Sequence, residues 1–410
     1  MDEKTRAFIV SKFQEYYSTA QLTLPPEFTS REWGFLDFGS ADDVFMKRHR
    51  DFGSEGELYD YLRGMAPAHA YYSVAYYEYP GAPKMKEKNW LKADLIFDID
   101  SDHLPGKINS YGDMLEKGKK ETLKLLDFLI NDFGFDESAV HAVFSGGRGY
   151  HFHISDPSVL SLESPERREI VDYVSGKISP EMHYNKEWMV GEHGSGTETF
   201  KGKTTAPYKY VLKNSGAGWG KRIANYIVQY LIDQSAISDK DMFRDLRDLK
   251  GFGKSTSKRF QELKKIAQSS AALQDIIKYG RLDFGPVDDF QDVIHQLISQ
   301  AVDNSKVNFG STQVDEPVTA DIKRLIRLPG SLHGKSGMKV TALRIDELEK
   351  FEPLNDAVVF GDKSVKIKAI KPFAVQMKGK NLMVEEGVQE VPEYAAVYLI
   401  CRGVAEYGSH

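Results

Sequence analysis

The chain carries a single cysteine, Cys401, among 410 residues. No internal disulfide and no multi-cysteine zinc cluster can be built from it, which fits a reducing compartment. There is no run of about 18 apolar residues, and the first residues, MDEKTRAFIVSKF, lack the apolar core of a secretory leader. Neither membrane insertion nor export is expected, and a cytoplasmic location follows. An excess of positive charge is also missing: 54 Lys and Arg face 60 Asp and Glu, for a formal net charge of -6. That excludes a uniformly basic nucleic-acid coat and leaves local patches to do any such binding. No repeat or low-complexity tract interrupts the chain. At this length and 41% hydrophobic content it can bury a large core in two or more structural units.

Periodicity assigns the elements. TRAFIVSKFQEYY places Phe8, Ile9, Phe13 and Tyr16 at helical spacing. After a loop with Pro25 and Pro26, YYSVAYYEYP reads as a strand able to pair with the acidic strand ADLIFDID. Residues 116–133 read as a helix stopped by Gly134 in a left-handed conformation. AVHAVF and YHFHI read as strands joined by SGGRG, and Ser164 followed by Pro165 starts another helix. From about Gly218 to Asn304 only helical patterns occur; VTALRI, AVVFG and VKIKAIKPFAV then restore strand signals before a closing helix. The expected architecture is an α/β (α+β) core of mixed sheets flanked by helices, formed by residues 1–205 and 305–410, with an inserted all-helical subdomain over 206–304.

Three constellations carry chemistry. In ADLIFDID, alternation sends Leu95, Phe97 and Ile99 to one face and Asp98 and Asp100 to the other. Two close carboxylates repel unless a proton or cation neutralises them, so the pair reads as a divalent-metal site, against a solvated strand end. In SGGRGYHFHI the glycines open backbone amides to an anion, Arg148 offers a forked donor, and Ser145 and His151 flank it; the alternative is a plain hairpin turn. In RLIRLPGSLHGKSG, Arg324, Arg327, His333 and Lys335 form a cluster suited to a triphosphate, with His333 and Lys335 on one side of an extended chain. The interleaved Leu325, Ile326, Leu328 and Leu332 anchor it to a core. The basic run GFGKSTSKRFQELKK, Gly251 to Lys265, is either a phosphate-contacting hairpin or an ordinary interhelical turn. A two-metal site also wants a third carboxylate, for which Asp315, Glu316 and Asp321 are the candidates.

In this order and spacing the motifs REWGF, MKRHRDF, APAHAYYSVAYYEYPGAP, WLKADLIFDID, SGGRGYHFHI and DEPVTADIKRLIRLPGSLHGKSG resemble the archaeo-eukaryotic primase family, in its small catalytic subunit of archaeal type. The resemblance implies that Asp98 and Asp100 are the metal pair and that Asp315, eighteen residues before His333, is their third member. It implies nucleotide contacts by Ser145, Arg148, His151, Arg327, His333 and Lys335, with Arg48 near the incoming nucleotide. Two Mg²⁺ or Mn²⁺ ions, a single-stranded DNA template, ribonucleoside and also deoxyribonucleoside triphosphates, and a large regulatory subunit in a heterodimer come with it. The family's cysteine zinc knuckle has no counterpart in SDHLPGKINSYGDMLEKGKK, so no structural zinc is expected. The implied activity is de novo primer synthesis. Its rivals are a repair-type polymerase of the same family that extends existing ends, and a non-catalytic nucleic-acid-binding scaffold.

Overall fold

The structure, a computed structural model, describes residues 1–39, 45–177, 179–188, 198–200, 203–205, 208–249, 256–282, 291–310 and 318–408. These fall into two compact units, Met1–Val171 with Asn308–His410, and Asp172–Val307. None of the described helices is long and apolar enough to cross a membrane.

In the first unit, helix Glu3–Thr19 is capped by the Asp2 carboxylate, which accepts from Thr5 N at 2.6 Å. It buries Thr5, Ile9, Phe13 and Tyr17, a stripe of period four that seats it on the core. Strands β1 (Trp33–Leu36), β2 (Lys47–Arg50) and β3 (His69–Ser73) follow, then the short pair β4 (Ala75–Tyr77) and β5 (Trp90–Ala93), and the acidic strand β6 (Leu95–Asp100). A helix at Tyr111–Asp127 leads to the hairpin β7 (Val140–Phe144) and β8 (Gly149–Ile154). Gly134 takes φ +74, the left-handed stop expected of it. YYSVAYYEYP is thus two strands. It breaks at Val74, whose N–H bonds to Arg324 O while its carbonyl accepts from Asp94 N, and neither piece pairs with β6.

The second unit holds β9 (Tyr184–Trp188), the hairpin β10 (Glu198–Phe200) and β11 (Lys203–Thr205), β12 (Tyr208–Leu212) and β13 (Arg281–Leu282), among helices such as Gly218–Ala236 and Gln291–Ser305. Its boundary lies at Asp172, not at residue 206, and it is not all helical. Antiparallel pairing of β12 with both β9 and β13 carries residues 184–212 into this unit and buries Tyr184, Tyr210, Leu212 and Leu282. A two-residue strand such as β13 is too short for periodicity to reveal.

The chain then returns to the first unit with β14 (Leu325–Arg327), β15 (Thr341–Leu343), β16 (Ser364–Ala369), the hairpin β17 (Phe373–Met377) and β18 (Lys380–Val384), β19 (Gly387–Pro392), helix Glu393–Cys401 and β20 (Ala405–Tyr407). AVVFG, residues 357–361, forms no strand. Two four-stranded sheets position the site, in the orders β14-β3-β1-β2 and β15-β7-β8-β6. Mixed sheets were expected, yet every pairing among the described residues is antiparallel. β6 and β7 run the same way, but β8 lies between them, so the helical crossover never makes parallel neighbours. Helix Glu393–Cys401 is buried from Glu393 to Ile400 and shares one core with Ile9, Trp33, Phe35 and Ile326.

Candidate functional site

Register in the second sheet sets the site's floor. Asp98 lies opposite His151 and Asp100 opposite Gly149 across β6 and β8, so the carboxylates share a face with the histidine. His151 Nε2 is 3.2 Å from Asp98 Oδ1. Burial pushes the Asp98 carboxyl upward, but His151, Arg324 and Arg327 outweigh it and hold the group below its usual range. Asp100 shifts the other way: burial first, then the charge of Asp98, raise it. No described residue donates a hydrogen bond to the Asp100 carboxylate. Two crowded carboxylates with so few protein donors form a hard oxygen set that fits Mg²⁺ or Mn²⁺. Asp102 and His103 bring further ligand atoms within 4.8 Å of those of Asp100, although Asp102 is engaged by Arg148. Asp315, the third carboxylate implied by resemblance, and Glu316 lie outside the described residues.

The SGGRG loop is organised by Ser145, whose Oγ accepts from Gly147 N at 3.4 Å and Gly149 N at 3.1 Å. Gly146 takes φ +74, and a Cβ there would sit 2.7 Å from His333 Cβ. At Gly149 a Cβ would collide with the Ile99 carbonyl oxygen, so only glycine lets β8 approach β6 this closely. Arg148, half exposed, pairs with Asp102.

The third motif docks on that loop. Residues 334–336 form a turn, not the extended chain anticipated, because Gly337 N and Ser336 N both bond to His333 O. His333 is therefore buried while Lys335 stays exposed. Ser336 Oγ reaches Gly146 O at 2.5 Å and His333 Nδ1 at 3.2 Å. Burial, then the charges of Arg327, His69, Lys335 and Arg148, push His333 well below the usual imidazole value. Residues 250–255, the front of the basic run, are outside the described set; Thr256–Ala267 is a helix.

A cleft of about 360 Å³ opens over Asp98 and His151, lined also by Arg48, Tyr71, Asp321, Lys323, Arg324 and Arg327. Arg48 is aimed by Glu32, a fully buried carboxylate that accepts Nε at 3.0 Å and Nη2 at 3.3 Å. The Arg327 guanidinium lies 5.4 Å from the Tyr71 ring centre, its Nε buried without a partner. Asp98, His151, Arg48 and Arg327 thus gather around one cleft, with Asp100 two residues further along β6 and Ser145, Arg148, His333 and Lys335 on the two motif loops. Sequence reasoning missed Tyr71, His69 and Glu32. Alternation along HAYYS places His69 and Tyr71 on one side, a signal that was there; Glu32, inside REWGF, gave none.

Fold and site define an α+β protein whose partly buried carboxylate pair stands beside a cleft lined by Arg48, Lys323, Arg324 and Arg327, suited to a phosphate-bearing ligand. The profile of the DNA primase small subunit family matches residues 97–345. The chain is 55% identical over 410 residues to the DNA primase small subunit PriS of Methanosarcina barkeri, covering 100% of this chain and 98% of the relative. It is 54% identical over 409 residues to that of Methanococcoides burtonii, covering 100% of both. Similarity extends to Methanothrix thermoacetophila PriS, 43% identical over 416 residues. The chain belongs to the DNA primase small subunit family.

Proposed function

We propose that this protein is the catalytic subunit of a primase, a nucleotidyltransferase that starts short RNA chains de novo on single-stranded DNA. The observation that carries this reading is Asp98, with Asp100 beside it on β6, at a cleft lined by His151, Arg48, Lys323, Arg324 and Arg327. Asp98 and Asp100, with Asp315 by resemblance, would hold Mg²⁺ or Mn²⁺. Bound there, the cations supply Lewis-acid charge to the phosphate oxygens and favour ionisation of the attacking 3′-hydroxyl.

The chain's own residues do the positioning. Arg327 and Arg48 face the cleft and neutralise the triphosphate, and Glu32 fixes the direction of Arg48. Neutral His333, buried against the SGGRG loop, offers a directional hydrogen bond without added charge. Lys335, exposed, and Arg148 draw the nucleotide in. By the relatives' name, small subunit, the chain works beside a larger one.

The test is synthesis on unprimed single-stranded DNA with Mg²⁺ or Mn²⁺, ribo- and deoxyribonucleotides supplied in separate reactions. Labelled chains should arise without a primer. Extension of annealed ends alone would move the assignment to a repair-type polymerase, and no metal-dependent incorporation would remove the enzymatic reading.

A further inference from the structure

Every carbonyl of the SGGRG loop from Gly146 to Gly149 is tied down. Ser336 Oγ donates to Gly146 O at 2.5 Å, the Tyr111 hydroxyl to Gly147 O at 2.5 Å, Ser101 N to Arg148 O at 3.0 Å and Ser145 N to Gly149 O at 2.9 Å. Of the amides from Gly147 to Gly149, two turn inward to Ser145 Oγ. The third, Arg148 N, donates to no described residue. A peptide group is planar and trans, so an oxygen held on one side aims its N–H to the other. The Gly147 carbonyl and the Arg148 N–H belong to one such group. Glycine at 147 leaves that group free to rotate, so the tether on its oxygen selects the orientation.

That tether is Tyr111, which belongs to none of the motifs and is firmly mounted. It opens the helix Tyr111–Asp127, whose first turn is capped by Ser110 Oγ accepting Asp113 N at 3.0 Å. Its ring lies 5.2 Å from the Arg402 guanidinium and 6.3 Å from the Tyr398 ring, beside the buried helix Glu393–Cys401. Burial lifts its hydroxyl well above the usual phenol range, so it remains a donor. Gly147 itself stands against His333, where a Cβ would come within 2.8 Å of Nε2. An unpartnered amide beside an imidazole and an arginine side chain is a receiving geometry for phosphate oxygens. We propose that Tyr111 is a positioning residue for nucleotide binding: by holding the Gly147 carbonyl, it keeps the Arg148 amide turned toward the triphosphate. This rests on the nucleotidyltransferase reading and deepens it with a residue that touches no nucleotide.

The experiment measures nucleotide KM and kcat for metal-dependent incorporation by the full-length chain, with inorganic tripolyphosphate as competitor. Tyr111→Phe removes one oxygen and keeps the ring. It should raise KM about tenfold, the low end for one amide bond to a charged oxygen, and weaken tripolyphosphate by the same factor. Both kcat and melting temperature should stay near wild type, because the contact exists before and during reaction. p-Aminophenylalanine at position 111 restores an N–H donor and should return KM to the wild-type value. An unaltered KM in Tyr111→Phe overturns the role, and so does failure of p-aminophenylalanine to rescue. Loss of the fold in Tyr111→Phe overturns it as well, since Tyr111 would then act on stability. A KM defect that tripolyphosphate does not share places the hydroxyl's effect away from the phosphates and is equally fatal. A wild-type chain that incorporates no nucleotide removes the proposed function itself, and this role falls with it.

Discussion

Asp94 and Asp98 are four residues apart at one end of the same strand region, and their surroundings differ in kind. Asp94 is saturated: Arg31 Nη2 reaches it at 2.7 Å, Tyr76 at 2.8 Å and Ser155 at 2.9 Å. Arg31, wholly buried, spends its remaining donors on the Pro26, Ser73 and Val74 carbonyls and lies 3.4 Å from the Tyr76 ring centre. Asp98 has one neighbouring donor, His151, and opens into a basic cleft. A buried carboxylate with three donors on its two oxygens is part of the scaffold. One left nearly bare, beside a second carboxylate, is reserved for a ligand.

The sharpest way to break this contrast is to remove each charge in turn. Asp98→Asn should cost roughly 10³-fold in nucleotide incorporation, about 4 kcal/mol of transition-state stabilisation, with an unchanged melting temperature. Incorporation near wild-type level by the folded variant would end the assignment. Asp94→Ala should do the reverse, destabilising the fold by about 3–5 kcal/mol in denaturant titration because Arg31 is left buried and unpaired. A loss of activity with unaltered stability would show that Asp94 is not scaffold.

The basic side of the cleft extends the comparison. Burial, then the charges of Arg327 and Lys335, lower His69 to about 3. Its folded value lies below the unfolded one, near 6.5, so the stability it contributes is present above that value and is lost as pH falls toward 3. Unfolding free energy should drop by up to about 1.4 kcal/mol per pH unit in that window, and His69→Phe should flatten the slope by about one proton. An unaltered slope would mean that His69 is not held neutral. The smallest effect belongs to Lys335→Ala, which removes an exposed cation that, on the proposed function, contacts the nucleotide before and during reaction. The nucleotide KM should rise about tenfold with kcat nearly constant, and a fall in kcat alone would place Lys335 closer to the chemistry.

What could be read from sequence divides along physical lines. The shared face of Asp98 and Asp100 was legible because period-two alternation is local and the apolar Leu95, Phe97 and Ile99 take the other face. The hairpin around SGGRG was legible for the same reason. The seating of His333 on Gly146 was not, since a turn closed by hydrogen bonds to one carbonyl leaves no periodic trace. Long-range choices were equally hidden: nothing in YYSVAYYEYP says that β3 takes β1 and β14 as neighbours, or that β6 takes β8. The second unit's strands were concealed by their brevity and by tyrosines that suit either a helix face or a sheet.

The placement of β14 at the edge of its sheet has a consequence during synthesis. Ser73 bonds in register to Leu325, and Tyr71 to Arg327, so one side of β3 is completed only by a strand made much later. At ribosomal speeds of about 5–20 residues per second, the nascent chain carries that unpaired edge for roughly 10–50 seconds. An open, tyrosine-rich edge is a template for the wrong partner. The interval before Arg327 emerges is therefore when this edge is most open to a wrong partner, and the cleft over Asp98 cannot form any sooner.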